Sequence, residues 1–232
     1  MHYYTHYIWE QGSRTTNEDS LTIMQLNIQN RPALLAIIAD GIGGMLNGED
    51  ASGIVTNRLK CAFETASYNP ATFRLSLLKK TFLREVSACH HDLLKYSAAS
   101  GHKMGTTLCL ICIIGNRGLI MHIGDSRIYS LSPYRQLTSD HTDGLRRLTK
   151  CIGYGNYQRP TIRYIHTTPG RKYLLCSDGF YRRLTDAIPS LNTSHKRNDY
   201  YDQLKYLYSL ATCRGEKDNI SAILIECKKR KE

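Results

Sequence analysis

The chain has no apolar run able to cross a bilayer: the longest, Leu108 to Ile114, falls far short of the roughly 20 residues a spanning helix needs. No signal peptide is expected, since Met1-His2-Tyr3-Tyr4-Thr5-His6-Tyr7 shows no basic start followed by an apolar core. A cytoplasmic location is the expectation, and with it eight reduced cysteines. No repeat, low-complexity stretch or Gly/Ser/Pro linker divides the 232 residues, a length that suits one well-packed domain. No lysine follows Asp40-Gly41-Ile42-Gly43-Gly44 at Walker spacing and no GxGxxG occurs, which excludes the common nucleotide-binding loops. The net charge of +11 comes without an aromatic-interleaved basic motif, so charge alone does not indicate nucleic acid. The Lys228-Lys229-Arg230-Lys231 cluster reads as a solvated tail.

What is present is 41% hydrophobic and 22% charged, the balance of a soluble globular protein. Ser20 to Leu26 alternates as a half-buried strand does, and Ala33 to Ala39 is a buried strand that runs into Asp40-Gly41. Glu49 to about Ala66 is helical, with Ile54, Val55, Leu59 and Phe63 on one side. A longer helix is expected after Asn69-Pro70, read as a cap followed by proline in the first turn, striped by Leu75, Leu78, Phe82, Val86, Cys89 and Leu93. Thr107 to Ile114, Leu119 to Ile123 and Arg127 to Leu131 follow as strands whose short connections favour antiparallel neighbours. Arg171 to Cys176 is a further strand, Tyr201 to Thr212 a helix, and Ile220 to Cys227 a closing strand. This order is α+β, with sheets stacked on one another and helices outside. Cys109-Leu110-Ile111-Cys112 lies inside a strand, where odd spacing sends the two thiols to opposite faces, so buried thiols are favoured over a redox pair.

The carboxylates carry the chemistry. Asn17-Glu18-Asp19, Asp40-Gly41, Ser177-Asp178-Gly179 and Asp218-Asn219 each border a short apolar stretch, far apart in sequence. Acidic residues at strand ends converge where hard cations neutralise them. Oxygen donors without a His or Cys pattern favour Mg²⁺ or Mn²⁺ over zinc. Alone, each motif is more simply a turn, since Asp caps and Gly supplies positive φ.

Read in order, the chain resembles the metal-dependent serine/threonine protein phosphatases of type 2C, most closely their compact bacterial members. The matching stretches are Gly12 to Ser20, Ala39 to Gly44 with Gly48 to Ser52, Met104 to Thr107, His122 to Tyr129, Leu137 to Thr142, Leu174 to Gly179 and Asp218 to Ser221. The resemblance implies a four-layer α-β-β-α sandwich of two mainly antiparallel sheets. It implies two ions, Mn²⁺ or Mg²⁺, bridged by Asp40. Asp178 and Asp218 hold the first, and the Gly41 carbonyl and Glu18 hold the second, directly or through water. Asp19 orients a water, and a hydroxide bridging the ions attacks phosphorus directly. Arg14 matches the family's phosphate-gripping arginine, a forked donor suited to two phosphate oxygens. Asp125, with Asp178, matches a weak third metal site; equally, Gly124-Asp125-Ser126-Arg127 is a hairpin turn in which Asp125 accepts backbone hydrogen bonds. Thr106 and Thr107 are read as serving the backbone, as are Asp140 and His141.

Two departures stand out. Ile42 occupies the place of a proposed histidine general acid of animal relatives, as in many bacterial ones. The segment 142–152 is shorter than the mobile flap of relatives, which leaves the cleft more open. Arg146 and Arg147 beside it are read as solvated surface before contacts for acidic or phosphorylated partners. The implied partners are phosphorylated proteins, substrates of a Ser/Thr kinase, met by a monomer without nucleic acid or membrane. The alternative from another class is a catalytically silent phosphoprotein-binding module on the same fold; retention of Asp40, Asp178 and Asp218 favours the enzyme.

Overall fold

The computed structural model describes residues 1–42, 47–192 and 199–229. Gly43 and Gly44 of the glycine-rich turn, and Arg230 and Lys231 of the basic tail, lie outside the described residues. One five-stranded sheet is built on β2 (Asp19–Ile28), β3 (Arg31–Asp40), β4 (Leu108–Ile114), β5 (Arg117–Ile123) and β8 (Thr161–His166), in that spatial order. The other, also five-stranded, runs β1 (His2–Glu10), β10 (Ile220–Lys228), β9 (Lys172–Cys176), β6 (Arg127–Leu131) and β7 (Tyr134–Gln136). Every ladder is antiparallel. Helices α1 (Gly48–Ser67) and α2 (Leu75–Ser100) cover the first sheet, and α4 (Asp199–Cys213) covers the second.

The layering follows from the pattern of the central strands. β3 and β4 are apolar at consecutive positions because both of their faces are covered. Leu35 and Ile37 pack toward Val55, Leu59, Phe63, Phe82 and Val86 of the helices. Leu34, Ala36 and Ile38 pack toward Ile128, Leu175, Ile223 and Ile225 of the opposite sheet. Cys109 and Cys112 fall into these two different cores, as odd spacing requires. Burial pushes both thiols up, and all eight cysteines are free. This is the α-β-β-α sandwich that the resemblance implied. No helix among the described residues is long and apolar enough to cross a membrane.

Three expectations need correction. First, Asn69-Pro70 does not form the cap and first turn of α2 but opens a separate turn closed by Thr72 N–H to Asn69 O and Phe73 N–H to Pro70 O. Phe73 is buried against Phe63, with centroids 5.4 Å apart, and this anchor holds Arg74 extended before the helix begins. Second, Gly124-Asp125-Ser126 is no hairpin turn. β5 pairs with β4 and β8 while β6 pairs with β7 and β9, so this link steps from one sheet to the other. Gly124 makes the step possible at φ 106°, where a Cβ would lie 2.6 Å from the Thr107 side chain. Third, β1, β7 and β8 were not foreseen; β8 is an edge strand with much of its length exposed, so its apolar signal is weak.

Candidate active site

Asp19 begins β2 and Asp40 ends β3, and the two are paired residues of the antiparallel ladder. The backbone of Asp40 is fastened by β4's approach. Its N–H donates to Thr107 Oγ1 at 3.0 Å, and its carbonyl accepts from Thr107 N–H and Thr106 Oγ1, each at 2.9 Å. Thr107 Oγ1 also meets Ser126 Oγ at 2.8 Å, tying Asp40 to the link that carries Asp125. Thr106 and Thr107 thus serve the backbone as expected. Gly41 follows in a space no side chain could enter, since a Cβ would lie 2.5 Å from the Gly48 carbonyl oxygen and 2.8 Å from that of Glu18.

The opposite sheet supplies the other half. Asp178 opens α3 (Asp178–Tyr181) immediately after β9, and Asp218 precedes β10. Asn219 holds this loop against the N-terminal segment: its Oδ1 accepts Glu18 N–H at 2.9 Å, and its Nδ2 donates to the carbonyls of Gln11 and Thr16. Glu216 accepts the backbone N–H groups of Lys217 and Asp218 with one carboxylate oxygen. Arg14, Glu18, Asp40, Gly41, Asp125, Asp178 and Asp218 line one cleft of about 380 Å³, together with Ile42, Thr107 and Leu148. Asp19 lies beside it, 2% exposed, and neither of its carboxylate oxygens has a hydrogen-bond partner of good geometry.

Such a crowd of carboxylates resists ionisation. Burial pushes Asp40 well above the usual range, with Asp19, Asp178, Asp125 and Asp218 adding repulsion. Burial takes Asp178 up to about 7, against the pull of Arg182, and Asp19 up to about 6, against the nearby hydroxyls of Ser221 and Ser177. Burial also raises Asp125 and Glu18. Two arginines partly neutralise the cluster. Arg14 Nε lies 3.0 Å from Asp218 Oδ1, and Arg182 bonds Asp178 while lying 3.6 Å from Asp218 and from Glu216. Among the described residues, no three His, Cys, Asp or Glu side chains are already drawn into a coordination shell. The carboxylates share a cleft, with arginines occupying two of them.

The side chains around the cleft sort themselves clearly. Asp140 pairs with Arg127 at 2.7 Å, and His141 Nδ1 accepts the Gly124 N–H at 3.1 Å, so both hold the inter-sheet link. The short segment after His141 closes on itself through the Thr142–Leu148 bridge and the Asp143–Arg147 pair at 2.8 Å, which gives Arg147 a local role. Sequence reasoning missed Arg182 and Glu216. Arg182 stands four residues after Asp178 on the same helical turn, a spacing that signals an ion pair.

Residues 11–219 match the family model described as Protein phosphatase 2C. The chain belongs to the protein phosphatase 2C family. Membership makes it a phosphoprotein phosphatase, and the similar curated proteins are bacterial. It is 27% identical over 240 residues to the serine/threonine phosphatase stp of Listeria monocytogenes, covering 92% of this chain and 91% of that one. It is 28% identical to the protein phosphatase PhpP of Streptococcus pneumoniae, covering 92% and 93%. Among solved structures, the S. agalactiae serine/threonine phosphatase shares the fold with a TM-score of 0.86 at 24% identity, over 98% of this chain and 100% of that one. The catalytic domain of the phosphatase PstP, solved with two manganese ions, superposes with a TM-score of 0.78 at 26% identity, over 98% and 99%.

Proposed function

We propose that this phosphatase releases phosphate from phosphoserine and phosphothreonine in proteins, with two divalent cations, Mn²⁺ or Mg²⁺, held in the acidic cleft. The observation that carries the reading is Asp19: two buried carboxylate oxygens with no hydrogen bond of good geometry, directly across the ladder from Asp40, beside a cleft of oxygen donors. Buried charge of this kind is costly until a counter-charge reaches it. The donor set of carboxylates and a backbone carbonyl fits hard cations. Glu18, Asp40, the Gly41 carbonyl, Asp178 and Asp218 are the residues to hold the pair, and Asp125 with Asp178 a weaker third. When bound, such ions acidify water and neutralise charge on phosphate.

The chain's own groups do the rest. Asp40 stays rigid because three hydrogen bonds fix its backbone. Asp19 accepts a proton-bearing ligand in the cleft and orients it. Arg14 grips the phosphate: its side chain is 47% exposed and its bond to Asp218 is a half-exposed ion pair, of a class worth about 0–1 kcal/mol, so exchange for a phosphate oxygen is cheap. Ile42 in the cleft brings no proton donor, which leaves protonation of the leaving oxygen to water or another side chain. The reading takes residues 1–232 as a single phosphatase domain with a short flap at 142–152, acting as a monomer on targets of a Ser/Thr kinase.

The test is phosphate release from a phosphothreonine peptide by the purified protein with and without Mn²⁺. Manganese-dependent turnover that chelator abolishes supports the reading. No release from any phosphopeptide by the metal-loaded protein defeats it and favours the silent binding module.

A further inference from the structure

A second cavity, of about 810 Å³, opens at the end of the first sheet opposite the acidic cleft. β3 joins the two, from Arg31 at the cavity to Asp40 at the cleft, a strand length of roughly 30 Å. The register decides which side chains share the cavity's face. Arg117 pairs with Ile114, and Ile114 belongs to the core beneath α1 and α2. Tyr164 pairs with Leu119 of that same core, and Arg31 stands two residues before its Ala33. All three therefore project toward the helix layer. Arg74, just before α2, completes the ring around a floor that includes the buried Phe73.

Three guanidinium groups from three elements thus face one concave space whose lining holds no carboxylate. Elsewhere Arg58, Arg127, Arg147, Arg182 and Arg214 each pair with an acidic side chain. Among the described residues, Arg31, Arg74 and Arg117 form no such pair. Arg31 and Arg117 sit on strands separated only by β4, about 10 Å between strand axes, so both can reach one ligand lying across β4. Tyr164 offers a ring 53% exposed at the rim, with the Lys79 ammonium 5.7 Å from its centroid.

We propose that this cavity is a binding site for a nucleoside polyphosphate. The phosphates lie on the forks of Arg31, Arg74 and Arg117, which match phosphate oxygens in geometry. The planar base lies against Tyr164 and the apolar floor. The volume is in the range of small-molecule sites, which combine an apolar lining with a few convergent polar groups. A lining without carboxylates has nothing to hold a catalytic cation, so this is a site of binding and not of hydrolysis.

Titration of the full chain with N-methylanthraniloyl-ATP, in EDTA so that no metal occupies the acidic cleft, tests it by fluorescence. Saturable binding with a Kd of about 10–100 µM is expected. The double charge reversal Arg31→Glu/Arg117→Glu should weaken it at least tenfold, and activity on a phosphothreonine peptide shows that this variant is folded. Tyr164→Ala should weaken the nucleotide several-fold while competition by inorganic tripolyphosphate is unchanged. Arg14→Ala should leave nucleotide binding as it was. The proposal is overturned if no saturation is reached at 1 mM, if the double reversal binds equally well, or if Arg14→Ala abolishes binding. It is overturned too if a polyglutamate peptide displaces the probe better than ATP does, which would assign the cavity to an acidic protein segment.

Discussion

Asp19 and Asp40 sit opposite one another across the β2–β3 ladder, one opening its strand and the other closing its own. In antiparallel pairs, side chains of directly opposed residues lie within about 4.5–5.5 Å at Cβ and like charges there repel. The fold therefore holds two acids together against their own electrostatics.

Removing one charge separates function from stability. Asp40→Asn should cut phosphopeptide turnover by more than the roughly 10–100-fold typical of losing a residue outside a ligand shell. The metal-free variant should nonetheless melt higher than the wild type, by roughly 2–4 °C for each kcal/mol of repulsion relieved. Steady-state kinetics and a melt in EDTA check both halves. A lower melting temperature would contradict the repulsion.

Metal binding should depend on pH with a definite sign. The folded, metal-free protein keeps protons on Asp178 up to about pH 7 and on Asp19 up to about pH 6, because burial disfavours their charge. An incoming cation must displace those protons. Apparent Mn²⁺ affinity should therefore fall as pH drops below about 7, by about tenfold per unit for each proton displaced. Calorimetry in buffers of different ionisation enthalpy counts the protons released.

Arg14→Ala should act mainly on substrate binding. The guanidinium is half-exposed and, among the described residues, pairs with Asp218, so its loss should leave the fold intact. A rise in KM of about tenfold, corresponding to about 1.4 kcal/mol, is expected, with kcat changed less. Unchanged KM and kcat would remove the role assigned to it.

His122 should make the fold acid-sensitive. It is buried and stacked on His141 with centroids 4.9 Å apart, and its Nε2–H donates to the Ser126 carbonyl at 2.8 Å. Burial lowers its pKa to about 4, against about 6.5 when unfolded. Protons therefore bind the unfolded chain first. The contribution is complete above about pH 6.5 and disappears as pH falls to about 4, a span of about 3 kcal/mol. Urea melts of the wild type and His122→Gln should show a difference that shrinks over this window, and a constant difference would refute the assignment.

The strands flanking the acidic cleft were legible because burial on both faces writes continuous apolar runs into β3, β4 and β10. The helix stripes were legible for the same reason, through Leu59 and Phe63 in α1 and Phe82 and Val86 in α2. β1 escaped notice because its residues are mostly His, Tyr and Thr, and it is recognised only by its long pairing with β10. The start of α2 was misplaced because Asn69-Pro70 is a sound helix opening by local rules, and the burial of Phe73 overrides it. Glu18, Asp40, Asp125, Asp178 and Asp218, remote in sequence, line one cleft. Glu216 was invisible because its part is to accept two backbone N–H groups, an arrangement that local sequence does not announce.

The step of Gly124-Asp125-Ser126 from one sheet to the other has a mechanical consequence. Asp19 and Asp40 belong to one slab of the sandwich, Asp178 and Asp218 to the other, and the cleft is the seam between them. A cation held as proposed, by residues of both slabs, would act as a rivet through that seam. Sliding of one slab over the other would then strain the rivet and the proposed reaction centre together, so that the same displacement would loosen the protein and silence it.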